Sequence, residues 1–254
     1  MVVEFEKKGH VALITLNRPE ARNAVNGQVA AGIEAAIDEF ESDPSLWVAI
    51  LTANGPTFCA GADLKEIAAG NGRSLSTKKG GFAGLVSRER SKPLIAAING
   101  SALAGGTEIA LACDLIVCSD ETDFGLPEVK RSLVAGAGGL FRLPRAIGMA
   151  PAMEVILTGE PLSCHKALNL GMVNKVVPAD QVMLEALDLA ERIATNAPLA
   201  VQASRRVASR AMIDEDAVLW RAGNDEFREI AKTEDYKEGP KAFVEKRAPQ
   251  WKGR

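Results

Sequence analysis

Two short runs near the start of the chain, Val2–Glu6 and His10–Leu16, are rich in β-favouring apolar residues. The Lys-Lys-Gly between them predicts a hairpin. Asn17-Arg18-Pro19 breaks the second run. Over Gln28–Phe40 the spacing becomes helical, with Val29, Ile33, Ala36, Ile37 and Phe40 on one face. Trp47–Thr52, Leu94–Ile98 and Leu115–Ser119 are short apolar runs that read as strands, the first closed by the Asn54-Gly55-Pro56 turn. A glycine-led helix fits between the last two. Gly70–Gly84, rich in Gly, Ser and Lys, is the segment expected to be most mobile.

The pattern changes in the second half. From Gly139 it is helical almost throughout, over Leu140–Ile147, Ala150–Leu157, Cys164–Asn169, Asp180–Ala194, Leu199–Met212, Asp216–Ile230 and Asp235–Lys246. Only Lys175–Val177 looks extended. Ser163 and Asp180 suit N-caps, Gly148 and Gly171 C-caps. The chain therefore reads as α/β, with a mixed core over residues 1–195 and a helical C-terminal region over 196–254. No strong internal repeat shows, although the strand–strand–helix order recurs loosely.

Composition narrows the function. The 254 residues, 47% hydrophobic and 25% charged, suit a soluble globular chain large enough to fold without metal or disulfide staples. Thirty basic against 33 acidic residues leave a net charge of −3, and no basic run exceeds two residues, so nucleic acid is not an expected partner. The acidic N-terminus does not read as a signal peptide, and the charge-free run Pro93–Thr107 is too short and too polar to span a membrane. The two histidines cannot form a zinc motif, and the four cysteines contain no CxxC pair; they read as reduced core residues of a cytoplasmic protein, with no metal expected.

Without histidine clusters or metals, carboxylates and backbone amides remain as the polar chemistry. Phe58-Cys59-Ala60-Gly61-Ala62-Asp63-Leu64 follows a strand with small residues that let a ligand approach the backbone, although a plain tight turn fits it equally. In Asn99–Ala112, Gly105 and Gly106 open an apolar helix whose free N–H groups favour negative charge. Glu108 sits beside them, where a dipole-stabilised first-turn acid is the bland reading. Glu128 follows the next strand within Phe124-Gly125-Leu126-Pro127-Glu128; alone, it reads as a surface residue. No dinucleotide or P-loop signature is present. Amides with two carboxylates are the equipment for chemistry at a thioester, where the amides hold a developing enolate oxygen and the acids move protons.

The same residues carry a resemblance. FCAGADL at Phe58–Leu64, AGGTEIALACD at Ala104–Asp114, FGLPE at Phe124–Glu128, GAGG at Gly136–Gly139 and EGPKAFVEKRAP at Glu238–Pro249 are together similar to the enoyl-CoA hydratase (crotonase) family, along nearly the whole chain. The resemblance implies a spiral of ββα units with a helical C-terminal region that assembles trimers or hexamers. It implies an acyl-CoA thioester substrate, with coenzyme A as part of that substrate and no separate cofactor. By position, the oxyanion amides fall on Ala62 and Gly105 and the catalytic acids on Glu108 and Glu128. Ala60, Asp63, Leu64, Lys65, Arg22 and Gly136 fall on positions that bind substrate or CoA. Here Ala135 precedes GAGG where the family usually has proline.

Phe243 and Lys246 match residues that close over CoA, sometimes from a neighbouring subunit. A terminal helix anchored to the core by Phe243 is the alternative. Because both acids are glutamate, hydration or dehydration is the expected reaction, in fatty-acid or related acyl-CoA catabolism; isomerases of the family commonly keep one acid. A carnitinyl-CoA dehydratase, suggested by Gly80–Leu85 and the Trp251–Arg254 ending, an isomerase and a non-catalytic acyl-CoA binder stay open.

Overall fold

The computed structural model describes all 254 residues. β1 (Val3–Lys8) and β2 (Val11–Leu16) form the expected antiparallel hairpin, with Val3 opposite Leu16. α1 (Gly27–Ser42) starts at Asn26, whose side chain accepts the Val29 N–H at 2.9 Å. There follow β3 (Val48–Ala53), β4 (Thr57–Cys59), α2 (Leu64–Ala68) and a two-strand ribbon of β5 (Ser76–Thr77) and β6 (Gly81–Phe82). β7 (Leu94–Ile98), β8 (Ser101–Leu103), α3 (Gly105–Ala112), β9 (Leu115–Ser119) and β10 (Asp123–Gly125) complete the first half. The second half comprises α4 (Gly139–Ile147), α5 (Met149–Thr158), β11 (Leu162–Ser163), α6 (Cys164–Asn169), β12 (Lys175–Val177), α7 (Val182–Ala194), α8 (Pro198–Ala208), α9 (Asp216–Ile230) and α10 (Glu234–Glu245). No helix is long and apolar enough to cross a membrane.

The loose strand–strand recurrence becomes regular in three dimensions. The pairs β3–β4, β7–β8 and β9–β10 each give their first strand to a six-stranded sheet, ordered β1-β2-β3-β7-β9-β12, and their second to a four-stranded sheet, ordered β11-β10-β8-β4. Beyond the first hairpin all neighbours in the large sheet are parallel, so the chain spirals forward with each unit. This is the expected spiral of ββα units. The strands of the small sheet escape sequence patterning because two or three residues, many of them small, show no period.

Alternation along the large sheet divides the core. Leu51, Ala96, Ile98 and Ile116 join the main cluster with Val29, Ile33 and Phe40 of α1, whereas Ile50, Ile95, Ala97 and Val117 meet Val182, Ala186 and Ala190 of α7. A parallel sheet covered on both faces needs unbroken apolar runs, and every residue of β3 is buried.

Several local expectations change. Gly70–Gly84 is not a free loop: Leu75 and Ala83 are buried, the Thr77 hydroxyl pairs with Glu34 of α1, and the Gly80 N–H is held by Thr77 Oγ1 at 2.9 Å. Ser163 caps α6 as expected, its hydroxyl accepting the Lys166 N–H. Asp180 does not cap α7; it lies in a 3-10 turn, Ala179–Gln181, that enters the helix without a side-chain cap. α8 stops at Ala208, short of Met212.

The C-terminal segment docks through polar contacts. Asp114 Oδ2 accepts from Arg205 Nε of α8 at 2.9 Å and from buried Arg90 Nη1 at 3.1 Å. The final residues fold back on α10: the Arg254 carbonyl accepts the Glu234 N–H, and the Asp235 carboxylate accepts the N–H groups of Lys252 and Gly253. Phe243 anchors nothing in the chain. It is 85% exposed, while its neighbour Ala242 is the apolar residue that α10 buries.

Candidate active site

The site is built on two tight turns that touch. Between β8 and α3, Ala104 takes φ +52° and ψ −125°, a conformation that costs a residue with a Cβ of order 1–3 kcal/mol. The turn is over-determined: the Ala104 N–H donates to the Gly125 carbonyl at 2.8 Å, and its carbonyl accepts from the Glu108 N–H at 3.2 Å. Behind it, buried Thr107 Oγ1 lies 2.7 Å from the Ala102 carbonyl and accepts the Gly125 N–H at 2.9 Å. Gly105 is consequently the first residue of α3, and its N–H has no intrahelical acceptor.

The second turn follows β4. Gly61 has φ +90°, and a Cβ there would lie 2.9 Å from the Gly105 nitrogen, so only glycine lets the turns meet. An isolated parallel bridge joins Val25 to Ala62 through the Gly61 carbonyl and the Asp63 N–H. The N–H of Ala62 itself faces the other way and takes part in no turn or cap hydrogen bond. Ala62 and Gly105 thus present two free donors to one cavity of about 980 Å³.

Glu108 and Glu128 line the same cavity. Glu108 is 3% exposed, and its Oε1 accepts the N–H of Gly139, the first residue of α4, at 2.9 Å. Burial pushes its carboxyl up to about 7; the Gly139 amide opposes this, the Glu128 charge adds to it, and the Ala137 amide and Arg142 oppose it further. Glu128 stands in the 3-10 turn Pro127–Arg131. Burial raises its carboxyl too, and its Oε2 is buried without a partner.

Other sequence-derived candidates fall into place around them. Arg22, Ala60, Asp63, Leu64, Lys65 and Gly136 all line the cavity. The Asp63 carboxylate is already committed, accepting from Arg18 Nη1 at 2.7 Å and capping α2 through the Lys65 N–H. Phe243 and Lys246 lie on or just after α10 and are not part of the lining. Sequence reasoning missed Phe82, Val86, Arg131, Val134, Phe141 and Arg142, which do line it. Only Arg142 had a signal, three residues beyond Gly139 and so within one turn of it.

Residues 6–254 match the family described as enoyl-CoA hydratase/isomerase. The chain belongs to that family. It is similar to a carnitinyl-CoA dehydratase of Proteus mirabilis, 43% identical over 253 residues that make up 97% of each chain. A mevalonyl-coenzyme A hydratase of Aspergillus fumigatus is 41% identical over 96% of this chain and 92% of its own. Among solved structures, an enoyl-CoA hydratase from Mycobacterium tuberculosis H37Rv superposes with a TM-score of 0.95 at 43% identity, covering 100% of this chain and 99% of that one. In this chain Glu108 and Glu128 line one cavity together with Ala62 and Gly105.

Proposed function

We propose that this protein is an enoyl-CoA hydratase, adding water reversibly to a 2-enoyl-CoA thioester to give the 3-hydroxyacyl-CoA. The observation that carries the reading is Glu128 Oε2, buried without a partner in the cavity that also holds Glu108 and the free amides of Ala62 and Gly105. The thioester carbonyl oxygen accepts from those two N–H groups, which stabilise the negative charge that builds on it as C3 is attacked. Loss of one such donor typically costs ~10²–10³ in rate. One glutamate, as carboxylate, takes a proton from water as its oxygen bonds to C3. The other, as the acid, delivers a proton to C2. Both requirements are met at once because two carboxyls in one apolar cavity resist ionising together, and burial holds Glu108 near neutrality.

The reaction moves only water and protons, so no cofactor beyond the CoA of the substrate is needed. Arg22 and Lys65 offer positive charge to the CoA phosphates, with Lys246 and Phe243 closing over the nucleotide from a neighbouring subunit of a homotrimer or hexamer. Association is supported by α9, which buries no residue and exposes Trp220 and Phe227, and by the exposed Phe243 and Val244. Four free cysteines suit a cytoplasmic setting.

A carnitinyl-CoA dehydratase is the second reading, favoured by the Proteus relative. Against it, the cavity wall holds only two aromatic rings, Phe82 and Phe141, and Arg142 and Arg145 already lie 5.3 and 5.1 Å from the centre of the Phe141 ring. A quaternary ammonium has little aromatic face left to meet. The test is a panel of enoyl-CoA thioesters of rising chain length, plus one bearing a trimethylammonium group, followed by loss of enone absorbance. Turnover of the neutral thioesters supports hydration of simple enoyl groups; turnover of the ammonium substrate alone supports the second reading. Turnover of none refutes both.

A further inference from the structure

Arg142 has no part in the reaction described above, yet its guanidinium crosses the cavity wall. Nη2 donates to the Val86 carbonyl at 2.6 Å, and Nη1 donates to the Ala137 carbonyl at 3.3 Å. Val86 follows the β5–β6 ribbon, whereas Ala137 lies in the loop that leads into α4. One side chain therefore joins two walls that no strand or helix connects. The loop it grips supplies Glu108 with its neighbours, since the amides of both Ala137 and Gly139 face the Glu108 carboxyl. A planar fork with five donors suits two carbonyls at fixed angles, and lysine, a flexible point charge, does not reproduce it.

The charges around this pair are few. Glu108 is faced by Glu128 and Arg142; Arg142 is faced by Glu108, Arg90, Arg145 and Cys113. Apart from Glu108 and the largely protonated thiol of Cys113, the groups around Arg142 are cations.

We infer that Arg142 is a positioning residue: by clamping Val86 and Ala137 it keeps the Gly139 amide on Glu108. The kinetic consequence rests on the hydration reading; the titration consequence rests on the geometry alone.

The experiment follows the Glu108 carboxyl by 13C NMR titration, assigned by its disappearance in Glu108→Gln, in the wild type, Arg142→Met and Arg142→Lys. Turnover is measured on the same samples. Arg142→Met should move the Glu108 midpoint up by roughly one unit, about what one lost amide hydrogen bond to a carboxylate removes. It should also lower kcat by at least ~10-fold while KM changes by less than about 3-fold, because the lost contact misplaces an acid and touches no substrate. Arg142→Lys keeps the charge and loses the fork, so the midpoint should rise here too while kcat falls. An unmoved midpoint in folded Arg142→Met, or wild-type kcat in Arg142→Lys, overturns the proposal. If Arg142→Met does not fold, the lysine variant decides. Should Glu108→Gln and Glu128→Gln keep full turnover, the hydration reading fails, and the NMR midpoints still judge Arg142.

Discussion

Gly139 donates its backbone N–H to Glu108 Oε1 at 2.9 Å, across 31 residues of sequence. This bond gives one of the two acids a fixed orientation, while Glu128 Oε2 is buried with no hydrogen-bond partner in the chain. The two carboxyls therefore differ in their surroundings although they share a cavity.

Removing either proton carrier should stop the chemistry and spare binding. Glu108→Gln and Glu128→Gln are each expected to lower kcat by ~10² or more, the range for a lost general acid or base, with KM little changed. Steady-state hydration kinetics on the best substrate of the panel check this. Near-wild-type turnover in either variant would point to one-acid chemistry such as isomerisation.

Glu108 should cost stability for its function. A carboxyl raised from 4.5 to about 7 on folding favours the folded state fully at low pH, and that advantage is lost as pH rises through the folded value. The difference corresponds to up to roughly 3 kcal/mol of native-state penalty at pH 8. Glu108→Gln retains an acceptor for Gly139 and carries no charge, so it should raise Tm over wild type at pH 8 and give no gain at pH 4. Thermal unfolding at the two pH values tests this; an equal gain at both would show that the charge is not the cause.

Gly105 is crowded by Phe82. A Cβ at position 105 would stand 2.5 Å from Phe82 Cε1 and 3.3 Å from the Gly61 Cα. Gly105→Ala should therefore push the ribbon off the turn, lower stability by about 1–3 kcal/mol as overpacking does, and reduce kcat by disturbing the amide donor. Adding Phe82→Leu should recover much of the stability. Denaturant unfolding of the single and double variants supplies the comparison, and additive losses would rule out the clash.

Asp114 should hold α8 to the core. Burial pushes its carboxyl up, but the Arg90 and Arg205 cations outweigh this and hold it below the usual range. Its contribution is thus present above pH ~4 and is lost as pH falls through the lowered folded value. Asp114→Ala leaves buried Arg90 without its anion and should cost roughly 2–3 kcal/mol, more than Arg205→Ala. Urea unfolding at neutral pH ranks the two variants.

Lys246 sits at the end of α10 with φ +53°, exposed and carrying its charge outward. If it meets the CoA phosphates, Lys246→Ala should raise KM for CoA thioesters with kcat nearly unchanged. The effect should shrink with salt, since exposed charges are screened over ~8–10 Å at ordinary ionic strength. Pantetheine thioesters, which lack the nucleotide, should show none of it. Equal weakening of both substrate types would leave Lys246 with a purely structural role.

The sequence alone determined the frame. Unbroken apolar runs over Leu94–Ile98 and Leu115–Ser119 required strands covered on both faces, and the 3.6-residue spacing from Val29 to Phe40 required a helix laid on them. Small residues around Gly61 and Gly105 marked turns that a ligand could approach, and the family motifs placed Glu108 and Glu128 beside them. Period and residue size are local properties, and they survive in one dimension. Only the tertiary structure decided that Ala104 takes a conformation foreign to most L-residues, that the Val25 bridge turns the Ala62 N–H away from Val25, and that the Gly139 amide holds Glu108. The same is true of the anchored ribbon at Ser76–Phe82, which reads as loose chain because its contacts lie on α1, and of Phe243, whose apolar ring finds no cover in its own chain. Each depends on segments tens of residues apart meeting in space, and no periodicity along the chain records which partner a backbone amide or a guanidinium will find.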